Sequence, residues 1–469
     1  MVSAAIFAVV VLLQIAALFC AWRAIVSART PQGALGWVVF LLAAPYIGVL
    51  LYLFLGHHRY RGYLIARRES ERVIDGLKRG AEAHAPAGPL VVDPTPFTRI
   101  ADLPVLGGNR AVPLIDGDAT FDAIFAAIDR AERYVLAQFY IVHDDGIGRA
   151  FRDRLIAAAG RGVRVMFMTD AVGSHSLPES YYAALRDAGV EVADPKGGKR
   201  PRHRFQINFR NHRKTVVVDG RIGFTGGLNV GDEYLGRDPR FGNWRDTHLE
   251  LRGPVVAQLQ LVFAEDWHWA GKPVPADILD WTPPAEPEDM AALIVPTGPG
   301  DSMETGALFF FAAIVAARRR IWIASPYCVP DTDVLTAMKH AALAGREVRL
   351  LVPDMADHLV SWLAAFAYFD ELREAGVEIW RYGDGFMHQK VVLIDDDFAA
   401  IGTTNFDNRS FRLNFEAMAA MFDPRAAQSV EAFLRDDFDR AARFETDLAD
   451  QPLRIRVGGP VARLFAPLL

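Results

Sequence analysis

One short pattern occurs twice in this chain of 469 residues, 176 positions apart (388 − 212). The first copy holds His212, Lys214, Asp219, Gly226, Gly227 and Asn229, and the second holds His388, Lys390, Asp395, Gly402, Thr403 and Asn405. In each copy the Asp follows the His by seven positions and the Asn by seventeen. A lone His-x-Lys carries little information, but two constellations in identical register constrain the fold. The chain is expected to form two related units that pack about a pseudo-twofold axis. Residues two apart on a strand share a face, so each His presents together with its Lys. Paired imidazoles and ammonium groups around one point suit chemistry on an anionic phosphodiester.

The repeat reaches beyond the motif. Residues 128–145 and 314–331 both pass from the end of an amphipathic helix into a β-rich run. Each continues into a helix (148–160; 333–345), then a buried strand ending at Asp170 or Asp354. A further helix closes on Ala-Gly-Val-Glu at 188–191 or 375–378. This alternation predicts an α/β fold with two domains of mixed, largely parallel sheet flanked by helices. Segments 214–219 and 390–395 read as central strands because they are nearly continuous apolar runs. The domains are expected at 109–270 and 301–469, joined by a Pro-rich linker at 271–300.

Two apolar runs precede them, 4–21 (interrupted by Gln14) and 34–56, which carries no charge. Each is long enough to cross a bilayer, which takes about 20 apolar residues. No basic residue precedes the first, so residues 1–56 read as a two-helix transmembrane hairpin rather than a signal peptide. Trp22, Trp37 and Tyr52 are expected near the interfaces. Residues 57–108 form a juxtamembrane connector, with a helical piece near 63–83. Its Arg59, Arg61, Arg67, Arg68 and Arg72 outnumber Glu69 and Glu71. The turn between the runs adds Arg23 and Arg29, but the longer basic flank decides: it and the body behind it should face the cytosol. Only Cys20 and Cys328 are available, so neither a disulfide framework nor a zinc spacing is possible. The net charge of −6 gives no reason to expect nucleic acid.

The residue types divide the chemistry. A neutral His can attack phosphorus and form a phospho-histidine. The other, protonated, can supply the leaving alkoxide with its proton and later accept one from an incoming alcohol. Lys214 and Lys390 would meet the charge gathering on the phosphorane, and Asn229 and Asn405 would donate hydrogen bonds to its oxygens. Each ring needs a carboxylate to fix its tautomer. Asp246, 34 residues after His212, and Glu416, 28 after His388, stand at similar offsets. Asp219 and Asp395 belong to the catalytic motif but lie at the far strand ends, where they are expected to shape the turn into the Gly pair. No carboxylate cluster has metal-ligand spacing. His143, His175 and His358 read as satisfied core residues, His248 as either pocket or scaffold, and 309–311 as a core helix stripe. Between Gly189 and His212 the first half carries eleven residues more than the second (23 − 12). They fall in a basic stretch at 196–204, followed by Arg210, which suits an anionic headgroup or a charged membrane surface. The final apolar stretch could pack on the body or on lipid.

These residues match H-x-K-x4-D-x6-G-[GST]-x-N in full in both copies, and the chain resembles the phospholipase D superfamily. Within it, the chain is similar to bacterial cardiolipin synthases. The likeness is carried by Trp37, by 44–48 and 52–56, by 244–248, 325–331 and 414–416, and by the Leu-Phe-Ala-Pro-Leu-Leu ending. Cys328 departs from the aromatic common at its position. The resemblance implies that two phosphatidylglycerols give cardiolipin and glycerol, with no metal and no nucleotide cofactor. It implies phosphatidylglycerol and other anionic phospholipids as partners, at a bacterial inner (cytoplasmic) membrane. It favours His212 as nucleophile, since such enzymes more often use the N-terminal copy, leaving His388 as the acid, oriented by Glu416. A hydrolytic phospholipase D, or transfer from phosphatidylethanolamine, would use the same residues. A nuclease is disfavoured by the hairpin and the negative charge, and an inactive scaffold by two intact signatures.

Overall fold

The computed structural model describes residues 2–28, 30–56, 74–193, 209–274, 276 and 278–469. The Arg-rich flank at 59–72, Arg29 and the basic stretch at 196–204 lie outside the described residues.

Each signature folds as a hairpin. Thr215–Val218 returns as Ile222–Gly226, and Val391–Ile394 as Phe398–Gly402. Such short connections force antiparallel pairing. In the first, Asp219 (φ 54°) and Gly220 (φ 72°) take the left-handed conformations that a tight hairpin turn needs. Around the hairpins each half builds the same strand order. In the first half it runs Glu191–Ala193, Arg164–Thr169, Tyr134–Phe139, Thr215–Val218, Ile222–Gly226, Thr247–Arg252, Leu106–Ile115. In the second it runs in mirror order from Met290–Thr297 through Asn414–Met421, Phe398–Gly402, Val391–Ile394, Arg320–Ala324 and Glu347–Pro353 to Glu378–Tyr382, with Ala441–Arg443 at the edge. Leu106–Ile115 pairs antiparallel with Met290–Thr297, so the two halves share one continuous sheet.

The sheet is mixed. Within this large sheet the parallel pairs inside each half are confined to three strands: Tyr134–Phe139 to Glu191–Ala193, and Arg320–Ala324 to Glu378–Tyr382. Parallel pairing is therefore less extensive than expected, because the signature hairpins and the strands beside them run antiparallel. Helices cover both faces, as strand alternation requires. Ile321 and Ile323 join a core with helices Thr332–Leu343 and Leu359–Glu374, while Trp322 and Ala324 face Val255–Trp269 and Pro424–Asp439. Phe309 and Phe310 are buried in that first core and Phe311 is exposed.

Four expectations need correction. The Pro-rich segment is not linker throughout: Met290–Thr297 is a fully buried strand at the centre of the sheet. Its apolar run outweighs the single Pro296 near its end. The boundary at 109 likewise falls inside the strand Leu106–Ile115. The second apolar run is not one membrane-length helix but two, Pro31–Ala43 and Pro45–Leu55. Pro45 lacks an N–H and cannot continue the helix. The pieces fold back on each other, with the Trp37 and Tyr52 rings in edge contact at 5.1 Å. Among the described residues, one helix, Ala5–Ser27, has the length and apolarity to cross a membrane. Finally, His175 and His358 are exposed loop residues rather than core. His143 is half-buried beside Glu233.

The signature Asp residues also differ from expectation. Asp219 accepts the backbone N–H groups of Glu132, Arg133 and Tyr134 at 3.0, 2.8 and 2.9 Å. Asp395 accepts those of Arg318, Arg319 and Arg320, each at 2.9 Å. Their carboxylates anchor the loop that feeds the first parallel strand of each half, a structural role different from the expected shaping of the turn into the Gly pair. Asp219→Ala or Asp395→Ala is expected to destabilise the protein by about 1–3 kcal/mol through unpaired backbone donors. Thermal melting should fall while activity per folded molecule stays within a few-fold of the parent. A large loss of activity at unchanged melting temperature would return these residues to the chemistry.

Candidate active site

Two short parallel pairings between the halves build the site. Arg210–Asn211 of the first half pairs with Asn414 and Phe415 of the second. Reciprocally, Phe386–Met387 pairs with Trp244–Arg245 of the first. Each pairing continues into a catalytic His. The His212 N–H donates to the Phe415 carbonyl at 3.0 Å, and the His388 N–H to the Arg245 carbonyl at 2.8 Å. The next residue on each partner strand is a carboxylate. His212 Nδ1 lies 2.9 Å from Glu416 Oε2, and His388 Nδ1 lies 2.8 Å from Asp246 Oδ2. Both expected carboxylates thus reach the rings, but crosswise. The expectation that Glu416 orients His388 is corrected: each ring is held by the other half, because strand addition across the pseudo-twofold axis brings the partner's carboxylate closest.

The four groups are buried together. Lys214 Nζ donates to the His212 carbonyl at 2.7 Å and lies 5.5 Å from the Tyr140 ring centroid. Lys390 donates to the His388 carbonyl, and its Nζ also lies 2.9 Å from His388 Nδ1. A ring that donates Nδ1–H to Asp246 cannot accept there from the lysine; the buried, charged carboxylate is the stronger partner. Burial pushes the Lys214 ammonium well below its ordinary value and Lys390 down to about 8, against the pull of Glu416 and Asp246. Burial also lowers both imidazoles, His388 further than His212, with the lysines of both halves adding to it. Glu416 is lowered on balance: burial raises it, but His212, Lys214 and the Thr403 hydroxyl outweigh that. Asp246 is raised by burial.

Both signature Asn residues are buried. Asn229 Oδ1 accepts the Ile141 N–H at 3.1 Å, and its amide nitrogen donates to the Tyr234 hydroxyl at 3.4 Å. Asn405 Oδ1 is a buried oxygen with no partner among the described residues. The small residues have a steric reason. A Cβ on Gly227 would stand 1.9 Å from Asp246 Oδ1. In the second half Thr403 occupies this place, and its hydroxyl donates to Glu416 at 2.6 Å. No group of three or more His, Cys, Asp or Glu among the described residues is arranged to hold a metal ion.

Comparison with known proteins places this geometry. The model described as "Cardiolipin synthase, PLD-like domain" matches residues 124–267 and 310–438, and "Phospholipase_D-nuclease N-terminal" matches 5–57. Cardiolipin synthase A of Pseudomonas fluorescens is 44% identical, covering 98% of this chain and 98% of its own. That of Pseudomonas putida (strain GB-1) is 42% identical, covering 98% and 97%. The chain belongs to the phospholipase D-like cardiolipin synthase family. The solved phosphatidylserine synthase of Haemophilus influenzae Rd KW20 shares the fold, with a TM-score of 0.60 at 14% identity, over 80% of this chain and 99% of that one.

As a member of the cardiolipin synthase family the protein is a membrane-associated phosphatidyltransferase acting on phospholipids, with a duplicated catalytic domain. Several residues of the site escaped sequence reasoning. The middle residues of the two His-x-Lys motifs, Arg213 and Gln389, are buried and make polar contacts of their own. Arg213 pairs with buried Asp266 at 2.7 Å and donates to the Glu416 carbonyl at 2.9 Å. Gln389 donates to Asp437, which grips Arg245 through two contacts of 2.6 and 2.8 Å. Tyr140 packs edge-on against His212 at 4.9 Å, and Trp244 lies 5.3 Å from His388. Arg213 lies in a polar run just before the strand Thr215–Val218, so nothing in its immediate sequence marked it as buried. His248 lies on the strand Thr247–Arg252. It is fully buried, neither ring nitrogen has a partner among the described residues, and burial pushes it down to about 3.

Proposed function

We propose that this enzyme transfers a phosphatidyl group from one phosphatidylglycerol to another, making cardiolipin and releasing glycerol, through a phospho-histidine. The observation that carries the mechanism is the crossed pair of Nδ1–carboxylate contacts, which leaves Nε2 of each ring for phosphorus chemistry. In our assignment neutral His212 attacks the phosphorus of the first lipid through Nε2. The P–O bond to glycerol breaks, and protonated His388 gives its proton to the departing oxygen. His388 then takes the hydroxyl proton of the second phosphatidylglycerol, whose oxygen attacks the phosphorus and frees His212. Lys214, Lys390 and the amides of Asn229 and Asn405 carry the charge of the phosphorane.

Purified enzyme given labelled phosphatidylglycerol should release one glycerol per cardiolipin formed. Glycerol matched by phosphatidic acid instead would make it a hydrolase. Phosphatidylethanolamine as donor would release ethanolamine, which the same assay separates.

The lysines set the pH response. A lysine lowered to about 8 in the free enzyme loses its charge as pH rises through that value. The kcat/KM profile should therefore fall on the alkaline side near pH 8, and on the acid side below the ordinary imidazole value. A bound phosphodiester favours the charged lysine, so the alkaline limb of kcat should lie higher. A flat kcat/KM between pH 7 and 10 would contradict this role of Lys390.

The same proposal sets the catalytic body on the cytoplasmic face of a bacterial inner membrane, because arginines crowd the chain after the apolar segments. Protease added to sealed right-side-out vesicles should leave the body intact; digestion would reverse the orientation. For the domains we propose two phospholipase D-like units, meeting between the strands Leu106–Ile115 and Met290–Thr297.

A further inference from the structure

The last long helix, Leu453–Arg463, packs on Leu359–Glu374 through small residues. A Cβ on Gly458 would come within 3.2 Å of the Leu363 side chain, and one on Gly459 within 3.2 Å of its carbonyl. Gly459 and Ala462 are buried there. The outer face is apolar and open: Leu453 is 66% exposed, Val457 55%, Val461 52%, Leu464 78% and Phe465 52%. Steps of four put Leu453, Val457 and Val461 on one side of the helix, and Leu464 and Phe465 follow just past its end.

Charge indicates what covers them. Residues 453–469 hold Arg454, Arg456 and Arg463 and no Asp or Glu. Arg463 is shared with Glu371 at 2.9 Å and Arg456 leans on the Ala449 carbonyl at 3.4 Å, while Arg454 is exposed. An outward apolar stripe flanked by arginines is the composition of a helix that lies in the interface of an anionic bilayer. The segment is also tied to Arg409, on the short helix Asn408–Arg412. The Leu469 and Leu468 carbonyls accept from Arg409 N–H and Nε at 2.6 and 2.9 Å. The Arg409 charge acts on Tyr140, whose ring packs against His212.

We propose that this face docks on the anionic headgroup layer, seating the catalytic body so that its site opens toward the lipid surface. The inference rests on the reading that the substrates are membrane phospholipids, but its test does not require turnover. In the full chain, Leu464→Cys is labelled with an environment-sensitive fluorophore and reconstituted in phosphatidylglycerol–phosphatidylcholine vesicles. Asp436→Cys, exposed on the helix Pro424–Asp439 over the other sheet face, is the control, and the parent corrects for labelling at Cys20 and Cys328. The label at 464 should shift to the blue and be quenched by spin-labelled lipid, and the label at 436 by aqueous iodide. Equal quenching of both by iodide would overturn the proposal. So would a label at 464 shielded from both quenchers, which would mean that a second copy covers the face. A quadruple variant (Leu453→Ser, Val457→Ser, Leu464→Ser, Phe465→Ser) should lose roughly tenfold in kcat/KM on vesicles while keeping activity in detergent micelles. Equal loss in both media would mean that the face serves folding instead.

Discussion

Alanine at His212 or at His388 is expected to lower kcat for phosphatidyl transfer by about 10,000-fold or more, each alone nearly as severely as both together. The reason is that both rings serve both half-reactions. Without the nucleophile there is no phospho-enzyme, and without the second ring neither the leaving glycerol nor the incoming alcohol is handled. The fold should survive, because the histidines join the two halves through backbone bonds, His212 N–H to Phe415 and His388 N–H to Arg245, which alanine retains. Their buried side chains add modest packing. Labelled phosphatidylglycerol resolved by thin-layer chromatography, with circular-dichroism melts alongside, checks this. One variant that still makes cardiolipin at a near-parental rate would sink the shared-site mechanism.

The fold was legible where periodicity and repetition were strong. The two signatures, the helix–strand alternation and the apolar strands 215–218 and 391–394 pointed to two related α/β units, and the mirror strand order is their consequence. What stayed hidden depends on contacts distant in sequence. Met290–Thr297 was masked by its Pro-rich surroundings, although its role as central strand comes from pairing with Leu106–Ile115 and Asn414–Met421. The fold-back of residues 31–55 follows from one residue, Pro45, within a run whose hydropathy suits a continuous span. The anchoring role of Asp219 and Asp395 needed the position of residues 132–134 and 318–320, remote in the chain. Both carboxylates behind the rings were found by offset, but offsets within a half cannot reveal an exchange between halves.

That exchange makes the sharpest test. Glu416→Gln and Asp246→Asn should each cost about a thousand- to ten-thousandfold in turnover, since a neutral amide no longer fixes the tautomer or stabilises the charged ring. What separates crossed from uncrossed pairing is which histidine each one mimics. A phosphatidyl ester of p-nitrophenol has a leaving group that needs no proton, so it bypasses the acid. With His212 as nucleophile, His388→Ala should still accumulate labelled phospho-enzyme from this substrate, and His212→Ala should not. Crossed contacts predict that Asp246→Asn follows His388→Ala and accumulates label, while Glu416→Gln follows His212→Ala and accumulates little. Pairing within each half predicts the reverse. If peptide mapping finds the label on the segment holding His388, the two rings exchange roles and their carboxylates must exchange with them: Glu416→Gln would accumulate label and Asp246→Asn would not. In either case each carboxylate variant should share the fate of a histidine in the opposite half, because the 2.9 and 2.8 Å contacts cross between the halves.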